Sequence, residues 1–384
     1  MKISPDIWSG GASSLGRALI MNKYIFLFAL LLSTAALSFA SAGAESDSRA
    51  GAEAGIIAAV RDESGYVRPQ KLKMLWDLIQ KKEDNLDIGK RVVHDSLDVV
   101  SPTWFSIGNG LADVSSLASR DYVEWAHDNG LKVWALFENK SDNQLTLTAI
   151  SNKTKRERII EQLASYADEY GLDGINLDFE AMNRETGQYF ELFTAELYEK
   201  LKPMGITLSV DVSLPISYIQ TIYDISAIAA NSDYIVLMAY DQHHSDSEKS
   251  GPVAAIEWVK QGIENALQYV PNDRIILGIP FYTRVWVENR EGGTLSLGSE
   301  LRGMKEAYEM FDRTARVWGR DRATQQIFAE YDLNEKRYMA WLEDEHSISL
   351  KLDTINDYDL AGMSAWRRGL EWEEIWDMIQ AYFE

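Results

Sequence analysis

Apolar segments of strand length recur along the chain at residues 73–77, 98–104, 132–137, 174–180, 207–212, 234–240, 274–280 and 360–365. Between them run stretches with helical spacing of apolar positions, among them 121–127, 190–201 and 256–269, and residues 372–383 follow the last segment in the same way. Eight strands alternating with helices over roughly 310 residues predict an α/β fold, a (β/α)8 TIM barrel. A doubly wound open sheet is the competing arrangement. It requires a glycine-rich phosphate turn after an early strand, and the sequence offers none there.

The fourth segment carries the sharpest pattern. In residues 173–180 (Asp-Gly-Ile-Asn-Leu-Asp-Phe-Glu), Ile175, Leu177 and Phe179 fall on one face of a strand and Asn176, Asp178 and Glu180 on the other. Residues 159–170 before it have helical periodicity, and Gly171 is placed to end that helix. A strand between helices is covered on its apolar face, so the acid face is expected to point into a closed interior. Burying unpaired carboxylates costs several kcal/mol, roughly, so such a row implies a chemical purpose. The plainer alternative is an edge strand with solvated acids. Asp173 reads as a brace at the start of this strand.

The spacing breaks once. Between Tyr282 and Asp359 the chain holds a helix-like stretch at 299–311, strand-like pieces at 325–331 and 337–342, and a further helix from about Glu345. Residues of about 286–342 are therefore expected to form a small α+β insertion after strand seven, on the catalytic face, walling one side of a cleft. The barrel with this insertion is assigned residues 67–384.

The N-terminus has a different character. Met21-Asn22-Lys23 precedes an apolar run from Tyr24 to about Phe39, followed by small residues ending Ala42-Gly43-Ala44. This is the layout of a secretory signal peptide. Residues 1–44 are accordingly read as upstream sequence plus signal, with Met21 a candidate start, and 45–66 as a polar linker. An uncleaved anchor is the alternative. The expected location is secreted, extracellular or cell-wall associated, without membrane attachment once the signal is removed.

Composition narrows the partners. With 46% hydrophobic and 11% aromatic residues the 384-residue chain is globular, and with no cysteine it forms no disulfide. Its formal charge of −21 argues against nucleic acid and anionic membranes, and it slows approach to anionic wall polymers. The chain is expected to act as a monomer.

In such a barrel the chemistry lies at the C-terminal ends of the strands. Those ends carry Asn176, Asp178 and Glu180; Met238-Ala239-Tyr240-Asp241; Pro280-Phe281-Tyr282 with Arg284 and Trp286; and Trp366. Acids and aromatic rings converging on one mouth suit a sugar, because rings stack on pyranose faces and carboxylates handle the acetal. His243 and His244 suggest a metal, but adjacent residues of an extended segment point apart and no third ligand is suitably spaced, so neither metal nor cofactor is expected. Arg367 and Arg368 read as ion-pairing residues.

Residues 173–180 resemble the signature of glycoside hydrolase family 18, the chitinase-like family. Segments 101–105, 238–243, 278–282 and 365–369 match that family in order, and the similarity runs from about residue 70 to the end. Within the family it points to secreted Firmicutes-type members related to cell-wall and spore-cortex glucosaminidases. The resemblance implies a retaining, substrate-assisted hydrolysis of β-linked N-acetylglucosamine-containing polysaccharide, with peptidoglycan or spore cortex favoured over chitin. Glu180 would be the general acid, its proton affinity raised by burial and by Asp178. Asp178 would orient the 2-acetamido group and Tyr240 would donate to the acetamido carbonyl. Asp241, Trp366, Asn176, Tyr282 and Trp286 would bind sugar, with Trp366 as the floor. The usual pattern has an acid where Asn176 stands. That change is expected to deprive Asp178 of a proton-sharing partner and to simplify the acidic limb of the pH profile, with Asn176 still bonding Asp178. A catalytically inactive glycan-binding protein is the alternative; it would need only the aromatic residues.

Overall fold

The computed structural model describes residues 59–61, 67–90, 94, 96–216, 222–289 and 296–383. The stretch 1–44, expected to be upstream sequence and signal, lies outside these, as does most of the 45–66 stretch, of which Ala59–Arg61 pairs antiparallel with Val67–Pro69.

Eight parallel strands close on themselves. They are β1 (Leu72–Asp77), β2 (Val99–Pro102), β3 (Lys132–Glu138), β4 (Gly174–Asp178), β5 (Thr207–Ser213), β6 (Tyr234–Met238), β7 (Ile275–Pro280) and β8 (Gly362–Trp366). Each pairs with its successor, and β8 returns to β1 with Gly362 opposite Leu72. At that seam a Cβ on residue 362 would collide with the Leu72 backbone, so the closure requires glycine. The barrel is thus the (β/α)8 arrangement that the alternation predicts, and the open sheet is excluded.

Helices cover the outside. The helix before β4, Lys153–Tyr170, starts at Asn152, whose side chain accepts the Lys155 N–H, and ends at Gly171 in the left-handed region (φ 70°). The helix after β4, Arg184–Leu201, is capped by Asn183. Ile175, Leu177 and Phe179 face these helices, and the Phe179 ring stacks 5.3 Å from Phe190 and 5.8 Å from Phe193. The barrel lumen has its own core of Met74, Trp76, Val99, Trp134, Leu136, Val236 and Ile276. The period-2 alternation of β4 therefore sends apolar side chains to the helix layer and Asn176 and Asp178 to the lumen.

After β7 the chain builds a five-stranded antiparallel sheet from Tyr282–Asn289, Ser296–Gly303, Val317–Arg320, Ile327–Leu333 and Lys336–Leu342. Helix Met304–Asp312 packs Ala307 and Phe311 against Val285, Ala329, Ala340 and Leu342. Residues 299–303, predicted as the first turn of this helix, instead complete a strand pairing with 282–289. The sheet begins at Tyr282, four residues before the predicted edge of the insertion.

Candidate active site

Glu180 stands two residues beyond the end of β4. Asn139, buried just after β3, clamps its backbone: Asn139 Nδ2 donates to the Glu180 carbonyl at 2.8 Å and Asn139 Oδ1 accepts the Glu180 N–H at 3.0 Å. Ser141 Oγ donates to Glu180 Oε2 at 3.1 Å. Lys140 and Ser141 both hold left-handed backbone (φ 58° and 51°), a strained arrangement that aims the serine at the acid. The Glu180 side chain is exposed at the open mouth. This corrects the expected burial of the acid: the strand has ended, and the more enclosed carboxylates lie one layer below.

That layer holds three acids. Glu138 at the end of β3 is in register with Asp178 on β4. On the other side Leu177 pairs with Val210, which sets Asp178 beside Asp211 on β5. Asp178 Oδ1 is shut off from solvent and has no hydrogen-bond partner. Burial, then the charges of Glu180, Asp211 and Glu138, push Asp178 well above the usual carboxylate range. Asp211 is pushed up chiefly by burial, and the hydrogen bond from Asn176 acts against this. Glu138 is also raised by burial, with Lys140 opposing.

Asn176 is fully buried. Its Oδ1 accepts from Trp76 Nε1 at 2.8 Å and from Ser101 Oγ at 3.3 Å. Its Nδ2 donates to Ser209 Oγ at 3.0 Å and Asp211 Oδ1 at 2.6 Å. Asn176 is therefore a lumen bridge rather than a sugar ligand, and its acidic partner is Asp211 rather than Asp178. A carboxylate from the next strand thus stands beside Asp178 where none is supplied by residue 176.

Across the mouth, the Tyr240 ring meets Trp76 edge-on at 6.2 Å and Tyr282 at 6.2 Å. Burial and the nearby acids hold its hydroxyl well above the usual tyrosine range, so it remains a donor. Trp366 lies 5.9 Å from Trp76, so the half-buried Trp366 indole at the mouth rests on a fully buried one. Asp241, in left-handed backbone (φ 57°), accepts from Tyr282 Oη at 2.8 Å and from Arg284 at 3.2 Å. Tyr282 and Arg284 come from the first strand of the insertion, which thereby joins the wall of the mouth.

Trp286 is placed elsewhere. It is fully buried, and its indole N–H donates to the Gly251 carbonyl at 2.8 Å, so neither ring face is open to a sugar. Counting along the insertion strand explains this: Tyr282 and Arg284 sit at its near end, and Trp286 lies deeper, opposite Met339. Asp173 braces the start of β4, where Oδ2 accepts the Val133 N–H at 2.8 Å and meets His127 Nε2 at 2.9 Å. Arg368 pairs with Asp77. His243 Nδ1 lies 2.9 Å from the Pro252 carbonyl, and His244 accepts the Asp246 N–H. Among the described residues no three His, Asp or Glu side chains cluster to hold a metal.

Sequence reading missed Asp211, Trp76, Glu138 and Asn139. Asp211 had a signal: in residues 207–213, Ser209 and Asp211 alternate with Leu208, Val210 and Val212, the period seen in β4.

Comparison with known proteins agrees with this architecture. The chain is 26% identical over 273 residues to an uncharacterized glycosylase, YvbX, of Bacillus subtilis, covering 67% of this chain and 77% of that protein. It is 25% identical over 255 residues to the cortical fragment-lytic enzyme of Bacillus subtilis, covering 64% of this chain and 58% of the enzyme. The crystal structure of the Bacillus cereus spore cortex-lytic enzyme SleL superposes with a TM-score of 0.73 at 20% identity, over 82% of this chain and 74% of that one. Residues 100–371 match the model of glycosyl hydrolases family 18, and the chain belongs to that family: it is a family 18 glycosidase.

Proposed function

We propose that the protein cleaves β-linked N-acetylglucosamine-containing glycan with retention of configuration, using the substrate's own acetamido oxygen as nucleophile. The observation that carries this reading is the placement of Glu180, just beyond the end of β4, next to Asp178 on the lumen face of that strand, with Tyr240 and Trp366 at the same mouth. Glu180, open to solvent and fixed through Asn139 and Ser141, protonates the departing glycosidic oxygen and later activates water. The acetamido oxygen attacks the anomeric carbon, so the enzyme supplies no nucleophile. Asp178 receives the acetamido N–H and Tyr240 donates to its carbonyl, holding the group in line for attack. Asp241, oriented by Tyr282 and Arg284, binds the same sugar, and Trp366 carries its apolar face.

The favoured substrate is peptidoglycan or spore cortex. Similarity to a cortical fragment-lytic enzyme and to a cortex-lytic structure supports it, while the strong negative charge counts against approach to anionic wall polymers. The apolar run at 24–39 behind Lys23 supports secretion, and action outside the cell is part of the proposal. The test is digestion of purified peptidoglycan and of chitin, with mass analysis of the fragments. Peptidoglycan fragments ending in reducing N-acetylglucosamine are expected; fragments from chitin alone, or ends in N-acetylmuramic acid, would overturn the substrate assignment.

A further inference from the structure

We propose that Asp211 is a positioning residue: it shares one proton with Asp178 and so fixes which Asp178 oxygen faces the substrate. The inference rests on the acetamido role proposed for Asp178. Its basis is the geometry of the lumen. The β4–β5 register sets the two aspartates side by side, both on the lumen face of their strands. Two carboxylates in that position, away from water, do not both ionise.

The network also says which one holds the charge. Trp76 Nε1–H is a donor only, so the Asn176 carbonyl oxygen must face it, and the Asn176 amide nitrogen must then face Asp211. An amide N–H at 2.6 Å favours an ionised acceptor. Asp178 has no such donor at Oδ1. Asp211 is therefore the anion and Asp178 the acid. Among the described residues, the other charges felt by the pair are Glu138 from β3 and Glu180 beyond β4, and the two aspartates act in turn on the hydroxyls of Tyr223 and Tyr240. Like charge from Glu138 and Glu180 reinforces retention of the proton. In the loaded site Asp178 donates its O–H toward Asp211 and accepts the acetamido N–H on its other oxygen. No proton is transferred in this arrangement, so the alignment is set before the chemistry begins.

The test compares wild type, Asp178→Asn, Asp211→Asn and the exchange variant Asn176→Asp/Asp211→Asn. Infrared difference spectra at neutral pH read the buried carboxylic acid directly. Wild type should show a C=O band of protonated carboxyl that is absent from Asp178→Asn and shifted in Asp211→Asn, where the acid loses the carboxylate that accepts its proton. On a chromogenic N-acetylglucosaminide, Asp211→Asn should lower kcat by roughly 10- to 100-fold with KM within about threefold, the scale of a misaligned catalytic group. The exchange variant, which returns a carboxylate to the lumen from β4, should recover most of that loss; a purely structural need for Asp211 would show no such rescue. Absence of the acid band in wild type, or wild-type kcat in Asp211→Asn, would overturn the proposal. If Asp211→Asn does not fold, the difference between wild type and Asp178→Asn still decides the proton. An inert wild type that nonetheless shows the acid band would contradict the proposed reaction and leave the shared proton standing.

Discussion

Asn176 and Asp211 meet across β4 and β5, amide nitrogen to carboxylate oxygen at 2.6 Å, inside a barrel lumen closed to water. The contact ties the signature strand to its neighbour and places a second carboxylate beside Asp178. Two buried acids in one lumen oppose folding at neutral pH, and the fold tolerates this where the chemistry is proposed to occur.

That arrangement gives stability a definite pH dependence. Asp178 and Asp211 both have folded-state proton affinities raised above their unfolded values. Their ionisation therefore costs stability above the unfolded carboxylate range, and the cost disappears as pH falls through the folded values. Asp211→Asn keeps an acceptor for Asn176 and removes one charge. It should raise the urea midpoint at pH 8, with the gain fading near pH 4. A lower midpoint at pH 8 would contradict this.

Asn139 should matter more for rate than for binding. It carries both backbone hydrogen bonds of Glu180, and its loss leaves a donor and an acceptor without partners beside the acid. Asn139→Ala is expected to reduce kcat by roughly 10- to 100-fold with a small change in KM, and to cost about 1–3 kcal/mol of stability. Steady-state kinetics with parallel denaturant titration separate the two effects, and an unchanged kcat would show that the clamp is dispensable.

Much of this was legible in the sequence, and the remainder shows why register matters. Period-2 alternation at Ile175, Leu177 and Phe179 was enough to orient β4, and Asn152 and Gly171 mark the ends of the preceding helix. Asp178, Glu180, Tyr240 and Trp366 are brought to one mouth because strand ends converge in a barrel. What a single sequence does not carry is the pairing between strands. Asp211 lies 33 positions beyond Asp178 in the chain and becomes its neighbour only through the β4–β5 register. Exposure of Glu180 was equally hidden, since alternation gives the face and not the depth at which the strand stops. Trp286 misled for a related reason: closeness to a strand end in sequence did not place its ring at the mouth.

Trp286 tests that correction. Fully buried and bonded to Gly251, it should be a stability residue. Trp286→Ala is expected to cost about 3–5 kcal/mol, the usual scale for a large buried aromatic. Trp286→Phe should fold and keep KM within about twofold, because no sugar contact is lost. A large rise in KM for the phenylalanine variant, measured with melting unchanged, would return the residue to the binding site.

Glu180 is proposed as the acid of a family 18 glycosidase acting on N-acetylglucosamine linkages. The most direct test of this role is turnover of a chromogenic N-acetylglucosaminide by wild type and by Glu180→Gln, which keeps the size and exposure of the side chain and removes its proton. The expected result is a loss on the order of 10²–10⁴ in kcat with glycan binding retained. Turnover by Glu180→Gln at near wild-type rate, or glycan binding by both proteins with turnover by neither, would contradict it.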